Sequence, residues 1–172
     1  MVCMGNVCRS PMARAVTQTT AQRAAPGDGA GTDPRQAAFF DAAGTHADPA
    51  GERLDSRARA ALLRRGYGVD DLRSRRVTTR DFDRFDLVVA MDAANLTDLR
   101  TLCPPEHTHK LRLFLDFAPG FEGQDVPDPY FGDASGFERV LDLCEAGARG
   151  LIDAASHVRV RAGRSTASCS DG

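Results

Sequence analysis

No apolar run in this chain approaches the roughly 18 residues that a membrane-spanning helix requires, and no signal-peptide pattern precedes its first motif. An excess of charge of one sign is also missing. Lys and Arg number 22 against 24 Asp and Glu, a formal net charge of −2, which excludes bulk electrostatic attraction to nucleic acid or to an anionic membrane. The five cysteines, at positions 3, 8, 103, 144 and 169, are odd in number and irregular in spacing. That is no disulfide framework, and it suits a reducing cytoplasm. No histidine stands near Cys3 and Cys8, so a zinc site is not expected there. The four histidines, His46, His107, His109 and His157, show no evident partner and read as surface residues.

At 172 residues the chain suits one domain with a substantial core, and 27% charged with 42% hydrophobic residues is an ordinary globular balance. Helices and strands alternate along it. Ser10 to about Ala25 reads as a helix, with Ser10 as its cap and Pro11 at the first helical position. A loop rich in Gly, Pro and Asp follows over 26–35, then a short apolar strand around Ala38 to Ala42. Asp55 caps a second helix that runs through Arg65 and stops at Gly66. Phe85 to Met91 (FDLVVAM) is a continuous apolar run, as in a strand buried on both faces. Asp92 caps the next helix, which Pro104 and Pro105 end, and KLRLFLDF (Lys110 to Phe117) alternates as a further strand. A long loop from Ala118 to Ala134 carries VPDPYFG. In the last helix, from about Ser135 to Ser156, the apolar residues Phe137, Val140, Leu141, Cys144, Ala148, Leu151 and Ile152 share one face. The domain is thus expected over 1–157, with 158–172 as a disordered tail. Such alternation implies a parallel sheet with right-handed crossovers, whose ligands sit beyond the carboxyl ends of the strands.

The chemistry gathers at the start, in CMGNVCRSP. A cysteine followed six residues later by an arginine suits an oxyanion. The intervening backbone can curl so that successive N–H groups point inward, and the next helix adds its positive N-terminus. Gly5 and Asn6 are residue types that tolerate the left-handed backbone such a curl needs. Arg9 can grip two oxygens with its planar fork. The same positive surroundings are expected to lower the Cys3 thiol toward a nucleophilic thiolate, to which Ser10 can donate a hydrogen bond. Downstream, Asp128 stands between two prolines in a long, partly apolar loop, a rigid presentation expected to raise its pKa.

Cys3 to Pro11 resembles the signature loop of the low-molecular-weight protein tyrosine phosphatases of bacterial type. The likeness continues through AAGT (Ala42 to Thr45), GERLDSRA (Gly51 to Ala58), VTTRDFDRFDLVVAMDAANL (Val77 to Leu96), VPDPYFG (Val126 to Gly132) and the last helix. The resemblance implies a three-layer α/β fold with a four-stranded parallel sheet flanked by helices, acting on phosphotyrosine-containing proteins without metal or cofactor. It also implies a two-step mechanism. Cys3 forms a cysteinyl-phosphate while Arg9 and the loop amides stabilise the equatorial oxygens, and Asp128 is general acid and then general base. Met4, Gly5, Asn6, Val7, Cys8 and Ser10 would form the substrate-binding loop, and Tyr130 would stack on the substrate ring, with Phe131 where the family has a second tyrosine. Cys8 resembles the family's second loop cysteine, able to pair with Cys3 under peroxide. Asp92 is expected to cap its helix beside the site, and the basic run Arg73 to Arg80 to form a solvated face. Three other readings stay open: a phosphoarginine phosphatase, against which Val7 weighs; a thioredoxin-coupled arsenate reductase; and a phosphotyrosine-binding pseudo-enzyme.

Several positions depart from the family pattern. Ala42 and Leu72 stand where side chains usually buttress the loop Asn, so Asn6 is expected to lose both partners. Arg14 replaces a Glu, and Asp48 and Pro49 replace residues at the cleft rim. Only Met1 and Val2 precede Cys3, so the central strand is expected to be truncated, its neighbours unpaired, and the natural chain to begin further upstream.

Overall fold

Four short strands, all parallel, stand in the order β2-β1-β3-β4: β1 (Val2–Cys3), β2 (Ala43–Gly44), β3 (Val88–Ala90) and β4 (Leu111–Leu113). The helices are α1 (Arg9–Arg23), α2 (Ser56–Arg64), α3 (Thr79–Arg84), α4 (Ala93–Leu102) and α5 (Ala134–Ser165). The computed structural model describes residues 1–24, 38–48, 51–69 and 72–165, with side chains as far as 155. No helix among them is long and apolar enough to cross a membrane.

Alternation along the strands divides the core in two. Val2, Ala43, Val88 and Ala90 pack on one side with Phe82 of α3 and Leu96 and Leu99 of α4. Cys3, Val89 and Met91 pack on the other with Met12 and Val16 of α1, Leu62 of α2 and Phe137 and Leu141 of α5. These are the three layers expected. Because β1 lies inside the sheet, its carboxyl end opens between two helical layers, where the CMGNVCRSP loop begins.

The central strand holds only two residues, yet it pairs with both neighbours. Val2 is in register with Ala43 and with Ala90, and Cys3 with Gly44. The ladder continues at either end: Ala43 N–H donates to the Met1 carbonyl at 3.0 Å, Met91 N–H to Val2 at 2.8 Å and Thr45 N–H to Cys3 at 2.9 Å. The neighbours are therefore not left unpaired at this level of the sheet. Past Met1 a cleft of about 160 Å³ opens between Phe40, Phe85, Leu87 and Leu151. There the Met1 ammonium donates to the Asp41 carbonyl at 2.8 Å, and burial lowers its pKa to about 6.

Element boundaries differ from the expectation for local reasons. Helix α1 starts at Arg9 with Cys8 as N-cap, because the Ser10 hydroxyl is engaged in the loop rather than capping. Pro11 is still tolerated, since first-turn N–H groups lack intrahelical acceptors. Strand β2 lies at Ala43–Gly44 rather than over 38–42. The expected strand over 110–117 is β4 followed by a 3-10 turn, Phe114–Phe117, in which Asp116 accepts the Leu113 N–H at 3.2 Å. Helix α3 was not expected; its capping box, Thr78 with Asp81, is legible in TTRD. Helix α5 extends to Ser165, eight residues into the expected tail, with Arg159, Arg161, Ala162 and Arg164 as its helix-favouring residues against Val158, Val160 and Gly163. The loop expected over 26–35, Pro49 and the rest of the tail, 166–172, lie outside the described residues.

Gly147 and Gly150 let α5 press against the 3-10 turn. A Cβ at Gly150 would meet the Phe117 carbonyl oxygen at 2.1 Å, and one at Gly147 the Phe114 ring at 2.5 Å. Glycine to alanine in an open helix gains about 1 kcal/mol. Here the sign reverses: Gly150→Ala is expected to lower stability by about 1–3 kcal/mol from overpacking, read as a reduced urea midpoint at unchanged m-value.

Candidate active site

Between Cys3 and Arg9 the chain bends continuously, and Asn6 makes the bend possible. Its φ of 57° is left-handed, the sole non-glycine case among the described residues. Its side chain ties the turn down from within: Nδ2 donates to Ser10 Oγ at 2.9 Å, and Oδ1 accepts the Arg75 N–H at 3.0 Å. Asn6 thus has two partners after all, supplied by Ser10 and Arg75 in place of side chains at Ala42 and Leu72. Gly5 does not adopt a left-handed conformation, and a Cβ there would meet only Val7, at an ordinary 3.6 Å.

The Cys3 Sγ lies 3.1 Å from Ser10 Oγ and accepts the Asn6 N–H at 3.3 Å. Ser10 Oγ also lies 3.1 Å from the Ala43 carbonyl, to which it can donate. A hydroxyl has one proton. With Cys3 as a thiol, Ser10 donates to Ala43 and accepts from sulfur; with Cys3 as a thiolate, the proton turns to the sulfur. Among the described residues the amides of Gly5, Val7 and Cys8 meet no protein acceptor, so the loop presents N–H groups ready for an anion.

Arg9, only 4% exposed, reaches from the start of α1 across the carboxyl end of β3. Its Nη1 bonds Asp92 Oδ2 and the Val126 carbonyl, the latter at 3.2 Å, and Nη2 pairs with Asp128 Oδ2 at 3.0 Å. Burial opposes its charge, but the bond to Asp92 and the carboxylate of Asp128 outweigh that, and its pKa is raised. Asp92 caps α4 as expected, accepting the Asn95 N–H at 2.6 Å, and it also orients Arg9, a role that the sequence did not suggest. Asp128 is not enclosed by its apolar loop: its side chain is 40% exposed and ion-paired.

A cleft of about 270 Å³ brings Cys3, Met4, Gly5, Val7, Cys8, Arg9, Asp128 and Tyr130 together with Glu52 and Phe131. Asn6 and Ser10 are buried behind its wall and brace it rather than line it. The Tyr130 and Phe131 rings meet edge to face at 5.1 Å, and Phe131 is 95% exposed. Cys8 is a free thiol, as is Cys3; burial first, then the Asp55 and Asp128 carboxylates, push its pKa up, so it stays protonated at neutral pH.

Other expectations change through contacts distant in sequence. His46 Nδ1 lies 2.9 Å from Thr45 Oγ1, and His107 Nε2 is 2.8 Å from Asp83, so both have partners. In the basic run Arg73, Arg76 and Arg80 are exposed, whereas Arg75 is half-buried. It pairs with Asp41 and Asp81 beneath the loop that it braces. Arg14 donates to the Phe40 carbonyl at 3.2 Å.

The model of the low molecular weight phosphotyrosine protein phosphatases matches residues 1–161. Over 156 residues the chain is 42% identical to the low molecular weight protein-tyrosine-phosphatase of Streptomyces coelicolor, covering 89% of this chain and 90% of that one. The crystal structure of a protein tyrosine phosphatase from Entamoeba histolytica with Hepes in its active site superposes with a TM-score of 0.77 at 35% identity, covering 95% and 96% of the two chains. A low molecular weight phosphotyrosine phosphatase from Vibrio cholerae does so at 0.77 and 37%, covering 89% and 92%.

Asn6→Ala removes both braces and leaves a left-handed backbone on a residue that disfavours it. A loss of about 2–4 kcal/mol is expected from the strain and the orphaned partners. Denaturant unfolding measures the loss, and the Arg75 amide should lose its hydrogen-exchange protection in the same variant.

Proposed function

The chain belongs to the low molecular weight phosphotyrosine protein phosphatase family, and from that premise we propose that it hydrolyses phosphotyrosine in proteins through a cysteinyl-phosphate on Cys3. The observation that carries this reading is the convergence of the Cys3 sulfur, the Arg9 guanidinium and the Asp128 carboxyl on one cleft, beside loop amides without protein acceptors.

In the first step the Cys3 thiolate attacks phosphorus, the bond to the tyrosine oxygen breaks, and Asp128 delivers its proton to the departing phenolate. In the second, Asp128 takes a proton from water as that water attacks phosphorus. The P–S bond breaks and its electron pair returns to Cys3, where the Ser10 hydroxyl turns to meet the thiolate. The Arg9–Asp128 pair supports this order of events. A phosphate dianion entering the cleft competes with Asp128 for Arg9 Nη2, and the displaced carboxyl is then free to turn toward the leaving oxygen. Asp92 meanwhile keeps Nη1 in place. Tyr130 and Phe131 offer aromatic walls for the substrate ring.

Phosphate release from a phosphotyrosine peptide tests the reading. Cys3→Ser is expected to abolish turnover while retaining peptide binding. Asp128→Ala should lower kcat by about 10²–10⁴ through loss of proton transfer, and Arg9→Lys by about 10²–10³ through loss of the fork on the transferring group. Equal rates in wild type and Cys3→Ser would overturn the reading, and arsenate turnover coupled to thioredoxin would replace it with a reductase.

A further inference from the structure

Asp128 is held in a loop with two anchorages, and only the first belongs to the sheet. At the entry, the Val126 N–H donates to the Met91 carbonyl at 2.9 Å and Asp125 Oδ1 accepts the Ala93 N–H at 2.8 Å. These bonds tie the loop to the carboxyl end of β3 and to the start of α4. At the exit the chain enters α5 at Ala134, and the turn of Tyr130 to Gly132 before it is also tied to α2. One side chain from another element supplies the bonds: Arg57, in the first turn of α2, donates Nη2 to the Tyr130 carbonyl at 2.9 Å and Nη1 to the Gly132 carbonyl at 3.1 Å. Its guanidinium also lies over the Tyr130 and Phe137 rings, at 5.8 and 4.7 Å.

Arg57 is itself fixed. Its Nε and Nη2 bond the two oxygens of Asp55 at 3.2 and 2.9 Å, and its own backbone N–H caps onto Asp55 Oδ1 at 2.8 Å. Asp55 in turn donates its backbone N–H to the Val7 carbonyl at 2.9 Å, within the nucleophile loop. A continuous path therefore runs from the Cys3 loop, through Asp55 and Arg57, to the two carbonyls that follow Asp128. Only a planar guanidinium can engage a carboxylate in fork geometry and two carbonyls at once.

From this path we infer that Arg57, held by Asp55, is a positioning residue that fixes the exit of the Asp128 loop relative to the Cys3 loop and so sets the proton-transfer geometry of the reaction. The inference rests on Asp128 acting as the general acid. It assigns Arg57 no contact with the reacting atoms. Proton transfer depends steeply on placement within hydrogen-bond reach, and a loop whose Tyr130 to Gly132 segment lost its bonds to α2 would lose that placement while the phosphate site stays intact.

The consequence is specific to the leaving group. Cleavage of an aryl phosphate with a basic phenolate depends on Asp128, whereas an acidic phenolate departs with little help. The test uses the full chain and compares kcat/KM for phenyl phosphate and for 2,4-dinitrophenyl phosphate in wild type, Arg57→Ala, Arg57→Lys and Asp128→Ala, with inhibition by inorganic phosphate as the measure of the Cys3 loop. Arg57→Ala is expected to lower kcat/KM for phenyl phosphate about tenfold or more, a part of the general-acid contribution of about 10²–10⁴. For the dinitrophenyl ester it should change less than about threefold, and phosphate inhibition should hold within about twofold, since no bond from Arg57 reaches the phosphate-binding amides. Arg57→Lys keeps the charge without the fork and should behave like the alanine variant. An equal fall for both esters, or full recovery in Arg57→Lys, would overturn the assignment. So would an unchanged Arg57→Ala alongside an Asp128→Ala that loses phenyl phosphate selectively, and that result would leave the phosphatase reading standing. A wild type silent on both esters would instead overturn the phosphatase reading, and the assignment with it.

Discussion

Arg9 is nearly excluded from solvent and stands between two carboxylates, Asp92 at the start of α4 and Asp128 in the loop bonded to the end of β3. A buried cation needs partners, because desolvation without them would cost several kcal/mol. The two carboxylates differ in what they do with that need. Asp92 is only 17% exposed and spends its other oxygen on the cap of α4, so it is a fixed partner. Asp128 is 40% exposed, on a loop, and is an exchangeable one. An arriving dianion can replace Asp128 without stranding Arg9, since Asp92 and the Val126 carbonyl still hold it. The site's charge balance is thus arranged so that an anion can displace Asp128 while Arg9 stays paired.

The same economy of partners appears beneath Cys3. Asn6 takes a backbone conformation most side chains avoid, and two bonds hold it there, to Ser10 and to the Arg75 amide. Ser10 is then shared among Asn6, Cys3 and Ala43, which makes its single proton responsive to the state of the sulfur. Arg75 is in turn pinned by Asp41 and Asp81, and Asp81 closes the cap of α3. Burial works against the Asp81 charge, but Arg75 and the Thr78 N–H hold its pKa below the usual carboxylate range. A group with a lowered pKa lends stability above its unfolded value and loses it only as pH falls through the folded one. The brace under Asn6 therefore weakens only on the acid side.

What the sequence disclosed and what it hid divide along contact distance. The Cys3 loop, the cap at Asp92 and the apolar run over Val88–Ala90 are local patterns, and each was legible because neighbours in sequence impose the chemistry. The face of α5 was legible by its period, but not its end, since the helix runs on through VRVRAGRS, where that apolar period is absent. The partners of Asn6 were not legible. A missing buttress at Ala42 and Leu72 suggested an unsupported loop, whereas the replacement comes from a main-chain amide 69 residues away, which no side-chain pattern encodes. Arg57 was hidden for a related reason: two residues past a helix cap it looks like any exposed first-turn arginine, and its partners on the Asp128 loop lie more than 70 residues on.

The central strand has two residues and pairs on both sides. The three register pairs of Val2 and Cys3, with the Met91 and Thr45 amides on their carbonyls, reach both neighbours and place Cys3 at the carboxyl end of the sheet. That position is set by the register with Gly44 and by a glycine that allows the close pass, since a Cβ at Gly44 would meet the Met4 carbonyl oxygen at 2.5 Å. The Cys3 loop, β2 and the Asn6 amide are packed so tightly there that none can shift alone. Stability and placement are thus separable in this fold. The first depends on how much of the sheet is paired, and the second on a few contacts at its carboxyl end.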